Sequence, residues 1–227
     1  MSEHSKPAVA VYCAVGAAIA KDGRTLVYGG GGKGIMGVVS AAALQAGGKV
    51  VGVVPYAMVA AGGEGEDRTK DSPKVFLDEA GREQVETIVV DSMHERKVEM
   101  AKRVNGFIGL PGGFGTFEEV LEVTTWTQLG IHDKPVVLVN VLSFWDPLRH
   151  LISNGINAGY IRPSNANLII FVDGPSDHAQ HLTFDWGKAT TEAIGSWTPR
   201  NAPPLFDWSI KLPGSRAGET KKDYDEV

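Results

Sequence analysis

Short apolar runs recur along the chain and alternate with longer stretches in which apolar positions return every three or four residues. The first pattern is typical of strands buried on both faces, and the second is typical of helices. The runs lie at 9–13, 25–28, 49–55, 107–110, 136–140 and 167–172, and residues 85–90 alternate as in a half-buried strand. Because alternating strands and helices form parallel sheets covered on both faces, the pattern predicts an α/β fold. We expect a Rossmann-like doubly wound parallel sheet of six or seven strands in a single domain.

Glycine, proline and polar residues mark where the helices between these strands begin and end. The helix after the second run is predicted to end at Gly47 and Gly48, as at a C-cap. A helix is predicted to begin at Ser143, with Pro147 in its first turn, where proline is tolerated. Residues 92–105 and 177–197 are predicted to form two further helices.

The chain is predicted to form one domain at 1–197 followed by a loosely ordered tail at 198–227. The tail is rich in proline, glycine and charge, which disfavours a packed core. Phe206 and Trp208 are the residues expected to dock it on the body or on a second subunit. Residues 56–86 are polar and rich in glycine, so we interpret them as a surface loop, a tolerated insertion in preference to a lid or partner contact.

One connection is too short for the predicted topology. If residues 9–14 and 25–28 are neighbouring parallel strands, only the ten residues 15–24 connect them, and a parallel crossover needs about a dozen or more. Three explanations stay open: a mobile segment absent from the sequence, a deletion, or a different topology. A signal-peptide interpretation of the apolar residues 8–20 is less satisfactory than a first buried strand containing a buried Cys13.

Charge and composition exclude several classes of function. Lys and Arg total 22 against 27 Asp and Glu, a net charge of −5, so the chain has no basic footprint for nucleic acid. Its only cysteine, Cys13, excludes an internal disulfide and fits a reducing compartment. Its six histidines form no metal-binding motif, and no segment has the ~20 apolar residues of a membrane span. We therefore expect a cytoplasmic protein with no metal and no partner membrane or nucleic acid.

The stretch from 106 to 130 carries the strongest chemical signal in the chain. A short strand at 107–110 is followed by the glycine-rich segment PGGFGT and then by helical periodicity. Thr116 is predicted to cap this helix, with Glu119 completing a capping box. Free backbone N–H groups at such a helix start favour an anion, most plausibly a phosphate. A tight turn without a ligand is the alternative.

PGGFGTFEE matches the motif PGGxGTxxE, and here the chain resembles the LONELY GUY family of cytokinin riboside 5'-monophosphate phosphoribohydrolases. Three further blocks carry the resemblance in the same order: LVYGGGGKGIMG at 26–37, MHERKVEMA at 93–101 and TWTQLGIHDKPVVLVN at 125–140. The resemblance covers roughly residues 8–172. It implies a homodimer or higher homo-oligomer acting on a small nucleotide without a cofactor.

The resemblance implies a catalytic Arg96, which composition alone would treat as a solvated charge. Cleavage of an N-glycosidic bond builds positive charge on the ribose, so a carboxylate near the anomeric carbon stabilises the transition state, and Glu119 is the candidate. The predicted substrate and phosphate contacts are Gly31, Gly32, Met93, Lys97, Gly112, Gly113, Gly115 and Thr116. Glu118 and Glu122 are expected to be solvated, with a lining of the base pocket as the alternative for Glu122, which lies within a turn of Glu119.

Two other functions stay open, namely a nucleotide-binding carrier or sensor without turnover, and an N-glycosidase for AMP or another nucleotide. The preference for a particular N6 substituent is not readable from the sequence. Proteins with this motif have also carried the label lysine decarboxylase-like. No lysine lies in or next to PGGFGTFEE to form a Schiff base, so the residues do not support that label.

Overall fold

The structure, a computed structural model, describes residues 5–61, 84–199 and 206–210. Seven helices and six strands alternate in it: α1 Ser5–Lys21, β1 Leu26–Tyr28, α2 Gly34–Gln45, β2 Val50–Pro55, α3 Tyr56–Ala60, β3 Val85–Val90, α4 Met93–Arg103, β4 Phe107–Gly109, α5 Phe114–Leu129, β5 Val136–Asn140, α6 Asp146–Asn157, β6 Ile169–Asp173 and α7 Trp186–Gly195. Short 3₁₀ turns occur at Val141–Ser143, Pro163–Asn165 and His178–Leu182. Most of the loop predicted at 56–86 and of the tail predicted at 198–227 lies outside the described residues.

The six strands form two parallel sheets of three. The first has the order β1-β2-β3, with Leu26 opposite Val50 and Val50 opposite Val85. The second has the order β4-β5-β6, with Phe107 opposite Val136 and Val136 opposite Ile169. Strands joined through helices and paired in parallel confirm the predicted α/β, Rossmann-like fold class.

The predicted first strand at 9–13 is wrong, because these residues lie inside the helix α1. The ten-residue connection explains the difference, since it is too short for a crossover between parallel neighbours. The alanine-rich segment has high helix propensity and continues the helix that the following residues form, up to a left-handed Gly23. The different topology is therefore the alternative that the structure adopts. Cys13, predicted to be buried in a strand, is exposed on this helix.

Helix α1 packs between α2 and α7 and covers part of both sheets. Val11, Val15 and Ile19 are buried in one cluster with Val137 and Val139 of β5. Small residues permit the close approach of the helices. A Cβ at Gly16 would collide with the backbone of α2, and one at Gly187 would lie 2.7 Å from the backbone oxygen of Ala14. The two sheets thus share a common core on this face.

Other predicted boundaries differ in detail. The helix predicted from Ser143 begins at Asp146, because Leu142 and Ser143 adopt positive φ angles of 52° and 59° that end the preceding turn. The closing helix predicted over 177–197 is divided into a 3₁₀ turn and α7. Of the predicted tail, residues 206–210 are described, and there Trp208 Nε1 donates to the carbonyl oxygen of Leu129 at 3.1 Å.

Candidate active site

The glycine-rich motif follows β4 and opens directly into α5. The N-cap is Gly113, without a side-chain capping bond, so the predicted Thr116–Glu119 capping box is wrong. The helix begins three residues earlier than predicted because glycine at the N-cap adopts the extended conformation (φ −98°, ψ −157°) that starts the first turn. Phe117 N donates to the Gly113 oxygen at 3.0 Å and closes that turn. The N–H groups of Phe114, Gly115 and Thr116 precede the first intrahelical bond, which leaves them to face a ligand.

The space above this helix start is open. Nothing lies within 4 Å of the position that a Cβ would take at Gly113 or at Gly115, and both residues are exposed. Gly112 differs, because a Cβ there would collide with the Oγ1 of Thr116. The loop therefore presents backbone donors toward an unobstructed space, with the Thr116 side chain folded beside it.

Arg96 is buried, with 5% of its surface exposed, which rules out the solvated charge that composition alone favoured. Its Nη1 atom lies 3.9 Å from the Sδ of Met58 and 3.7 Å from the Sδ of Met93. Its Nη2 atom occupies the place where a Cβ of Gly29 would stand. The guanidinium thus lies at the carboxyl end of β1, against the first glycine loop, where open α/β sheets bind ligands.

Glycines of the first loop are required by packing inside the protein. Gly30 has a φ of +80°, and a Cβ there would collide with Val54 of β2. A Cβ at Gly31 would lie 2.6 Å from Met36 Cε, and a Cβ at Gly37 would collide with the backbone of Gly32. The geometry thus favours close packing at Gly30 and Gly37, while ligand contact at Gly31 and Gly32 stays a prediction.

Lys97 joins the two helices that carry the predicted catalytic pair. Its Nζ lies 2.7 Å from Glu118 Oε1 and 3.0 Å from Glu122 Oε1, so it links α4 to α5 on both sides of Glu119. Burial lowers the pKa of Lys97, but the hydrogen bonds to the two glutamates outweigh that effect and raise the pKa above its ordinary value. Glu118 and Glu122, expected to be solvated, are therefore the partners of a cation.

The structure places the predicted residues in two groups. Glu119 is half-buried one turn after the motif loop on α5, while Arg96 and Met93 lie on α4. Lys97 connects the groups through its ion pairs.

An exposed aromatic surface lies beside the motif and was not predicted from the sequence. We call Phe114, Phe117, Leu121 and Phe144 the aromatic shelf. Phe114 is 91% exposed, and Phe117 contacts it edge to face and stacks against Phe144 with ring centroids 6.2 Å apart. Phe144 follows a different strand, so only the alternation of F and polar residues in FGTFEE could have signalled part of this surface.

A cavity of about 590 Å³ lies at the opposite edge of the first sheet, near the amino ends of its strands. Exposed cations, Lys49, Lys102 and Arg103, stand at its rim together with Glu86. None of the predicted site residues lines it. This cavity is separate from the motif loop, which lies at a carboxyl strand end.

Among residues 5–61, 84–199 and 206–210, no three His, Cys, Asp or Glu side chains are grouped as a metal site. Over the same residues, no helix combines the length and the apolar character needed to cross a membrane.

Comparisons with known proteins agree with the resemblance. A family model described as "Possible lysine decarboxylase" matches residues 36–182. The chain is 45% identical over 151 residues to cytokinin riboside 5'-monophosphate phosphoribohydrolase LOG5 of Arabidopsis thaliana, covering 66% of this chain and 58% of that protein.

Two rice proteins (Oryza sativa subsp. japonica) are similar as well. The probable cytokinin riboside 5'-monophosphate phosphoribohydrolase LOGL2 is 41% identical over 157 residues, covering 69% of this chain and 58% of the relative. The probable cytokinin riboside 5'-monophosphate phosphoribohydrolase LOGL6 is 35% identical over 204 residues, covering 85% of this chain and 70% of the relative. The chain thus spans 58% of the length of LOG5 and of LOGL2. The family model, the relatives and the geometry of the motif together show that this chain belongs to the LONELY GUY family.

Proposed function

We propose that this protein hydrolyses the N-glycosidic bond of cytokinin riboside 5'-monophosphates, giving the free cytokinin base and ribose 5-phosphate. The observation that carries the proposal is the start of α5. Exposed N–H donors at Phe114, Gly115 and Thr116 face open space, and Glu119 follows within one turn on the same helix. The names of the relatives supply the substrate class.

In the proposed mechanism the start of α5 holds the 5'-phosphate. Backbone N–H groups and the helix dipole both favour an anion there, the dipole by about 0.3–2 kcal/mol. A phosphate fixed at this point anchors the ribose and brings its anomeric carbon toward Glu119. This anchoring predicts that the riboside, which lacks the phosphate, is a poor substrate.

Glu119 is proposed to stabilise the positive charge that develops on the ribose as the bond from C1' to the base nitrogen breaks. The same carboxylate orients the attacking water, whose oxygen joins C1' while the departing base receives a proton. Arg96 supplies a permanently charged, planar guanidinium at the neighbouring strand end. Gly31, Gly32 and Met93 stay predicted substrate contacts.

Lys97 is not suited to the chemistry that the name of the family model suggests. A lysine that forms a Schiff base must lose its proton to attack a carbonyl. Lys97 is the lysine that reaches the motif helix, and its hydrogen bonds to Glu118 and Glu122 favour the protonated form. We propose that Lys97 instead orients α5 by holding these two carboxylates.

The aromatic shelf supports the proposal of a homodimer or larger homo-oligomer. Phe114, Phe117, Leu121 and Phe144 form an exposed apolar surface next to the motif, and such surfaces mark sites of association. Substitution of Phe114 by serine is expected to shift the protein toward the monomer in sedimentation velocity and to lower the melting temperature by the stability that assembly contributes. An unchanged oligomeric state would show that this surface is not the contact.

The activity is tested by incubating the protein with N6-isopentenyladenosine 5'-monophosphate and measuring free base by chromatography, with AMP and the riboside in parallel. We expect base from the monophosphate and none from the riboside. Glu119→Gln should lower the rate about 10²–10⁴-fold, the usual contribution of a general acid or base. Glu192→Gln, an exposed carboxylate change on α7, is the matched control.

If the protein binds AMP but releases no base from any of the nucleotides, the proposed hydrolase is wrong and the nucleotide carrier or sensor becomes the favoured function. Faster cleavage of AMP than of the prenylated nucleotide would favour the AMP N-glycosidase. A variant Glu119→Gln with full activity would remove Glu119 from the mechanism and leave the reaction class standing.

A further inference from the structure

Among the described residues after 113, His181 is the most completely enclosed ionisable ring, with 2% of its surface exposed. Both of its ring nitrogens have partners. The Nδ1 atom accepts from the backbone N–H of Leu142 at 3.2 Å, and Nε2 lies 2.8 Å from the carbonyl oxygen of Pro175. A carbonyl can only accept and an N–H can only donate, so the two contacts fit the tautomer that carries its hydrogen on Nε2.

Neighbouring groups hold this ring in one place. The indole of Trp186 packs edge to face on it at 5.1 Å between centroids, and Trp186 Nε1 donates to the carbonyl oxygen of His181 at 2.9 Å. Gly174 leaves the ring just enough room, because a Cβ there would stand 2.9 Å from His181 Nε2. The acceptor at Nδ1 therefore has a fixed position relative to the body of the protein.

The group that His181 holds is a strained turn. Leu142 (φ 52°, ψ 33°) and Ser143 (φ 59°) are the two non-glycine residues with positive φ among the described residues, and they are consecutive. Side chains other than glycine rarely adopt this conformation unless their surroundings impose it. Each of the two contacts one histidine of the same 3₁₀ turn, because Ser143 Oγ also lies 3.3 Å from His178 Nε2.

This turn directs two aromatic side chains toward the motif helix. Trp145 is buried, and its backbone N–H donates to Asn140 Oδ1 at 2.7 Å. Its ring lies 5.8 Å from that of Phe117, between centroids, and Phe144 stacks on Phe117 as part of the aromatic shelf. Phe117 is the residue between Thr116 and Glu118 in the first turns of α5.

We propose that His181 is a positioning residue for the start of α5. By accepting the Leu142 N–H it keeps the 142–143 turn left-handed, and the turn in turn keeps Phe144 and Trp145 packed on Phe117, next to the proposed phosphate-binding amides. The proposal rests on the proposed function only for its ligand readout, since the packing is independent of turnover.

Two substitutions separate the two bonds of the imidazole. His181→Asn retains an acceptor near the position of Nδ1, whereas His181→Gln retains a donor near Nε2 and loses the acceptor for Leu142. We expect His181→Gln to raise two quantities by about 2- to 10-fold each, the range for one lost hydrogen bond. The first is the Kd for AMP, measured by calorimetry. The second is the amide hydrogen-exchange rate of the peptide spanning 111–121. His181→Asn should change both quantities less.

A rescue experiment distinguishes positioning from simple loss of core packing. Glycine adopts positive φ without cost, so Leu142→Gly should restore slow exchange at 111–121 in the His181→Gln background. Leu142→Ala, which removes the same side chain but keeps the conformational cost, should not. If His181→Gln acted only through lost core packing, Leu142→Gly and Leu142→Ala would change the exchange rate at 111–121 equally.

Equal amide exchange rates at 111–121 in wild type and His181→Gln would overturn the proposal. A larger rise in that exchange rate from His181→Asn than from His181→Gln would overturn it as well. If His181→Gln does not fold, two other comparisons test the proposal. The first is His181→Asn against wild type, and the second is Leu142→Gly against Leu142→Ala, each as a single substitution. Faster exchange at 111–121 in the alanine variant supports the proposal, and equal exchange contradicts it. Absence of base release from wild type would contradict the proposed hydrolase alone, because the exchange readout needs no activity.

Discussion

The two glycine-rich loops look alike in sequence but differ in what surrounds their glycines. In the first loop, a Cβ at Gly29 or Gly30 would collide with Arg96 or Val54. In the second, the positions above Gly113 and Gly115 are empty to 4 Å. The first set of glycines therefore lets protein atoms approach one another, whereas the second leaves room for something that is not protein. Glycine content alone does not distinguish a packing loop from a binding loop.

Because their surroundings differ, the two loops contribute different groups to the proposed site. Packing at the first loop seats the buried guanidinium of Arg96 at the end of β1. The second loop exposes unpaired helix-start donors at the end of β4. In the proposed site, the first loop therefore holds Arg96 in place, and the second would supply backbone donors to the ligand.

The largest expected effect is on stability, from an alanine in the first loop. Gly30→Ala must adopt a φ near +80° and place a methyl group against Val54. The conformational cost of about 1–2 kcal/mol and the overpacking cost of about 1–3 kcal/mol add to a loss of roughly 2–5 kcal/mol in the free energy of unfolding. Urea denaturation measures it. Stability equal to wild type would show that the first loop is not a packing loop.

A smaller effect is expected on binding, from an alanine in the second loop. Gly115→Ala adds a methyl group to the open space at the start of α5, where alanine also favours the helix. We expect no loss in the free energy of unfolding but a loss of about 1.5–3 kcal/mol in AMP affinity, the value of one hydrogen bond to a charged group. Calorimetry at fixed salt measures the affinity. Unchanged affinity would leave the second loop without its assigned ligand.

The smallest expected effect concerns Lys97, which joins the halves that carry the two loops. Glu118 is exposed, whereas Lys97 and Glu122 are half-buried, so Lys97→Gln should lower the free energy of unfolding by about 0.5–1 kcal/mol, toward the upper end for surface ion pairs. Lys188→Gln, which removes a 3.8 Å pair within α7, is the matched control and should change stability less.

The pH dependence of the Lys97 effect has a defined sign. The pKa of Lys97 is raised in the folded protein above its ordinary value of 10.5. A raised pKa stabilises the fold fully below the unfolded value and ceases to do so as pH rises through the folded value. The difference between wild type and Lys97→Gln should therefore persist at pH 7 and shrink above about pH 10.5. A difference that grew with pH would contradict the assigned ion pairs.

The central strands β2 and β5 were predictable because their side chains are buried on both faces, and β3 because its residues alternate along the strand. Residues 85–90 and 136–140 coincide with β3 and β5, and the other later runs differ by one or two residues. The first run was misassigned since residues 9–13 are as apolar as a strand. Whether these residues form a strand or a helix depends on the connection after them, which is too short for a crossover between parallel strands.

Parts of the candidate site were predictable for a different reason. A motif such as PGGFGTFEE encodes a local backbone path, so the loop and helix at the end of β4 were expected correctly, apart from the exact cap. The burial of Arg96 depended on Met58, Met93 and Gly29, which come from three separate segments. No local pattern around Arg96 distinguishes it from an exposed arginine.

By itself, the sequence determined the fold class, the position of the motif helix and the residue types available for nucleotide chemistry, because periodicity and turn signals act over a few neighbouring residues. The tertiary structure alone decided that the N-terminal segment is a helix, that Lys97 bridges Glu118 and Glu122, and that His181 holds the 142–143 turn. Each of these depends on contacts or chain lengths between segments distant in sequence, and such contacts form only when the whole chain packs.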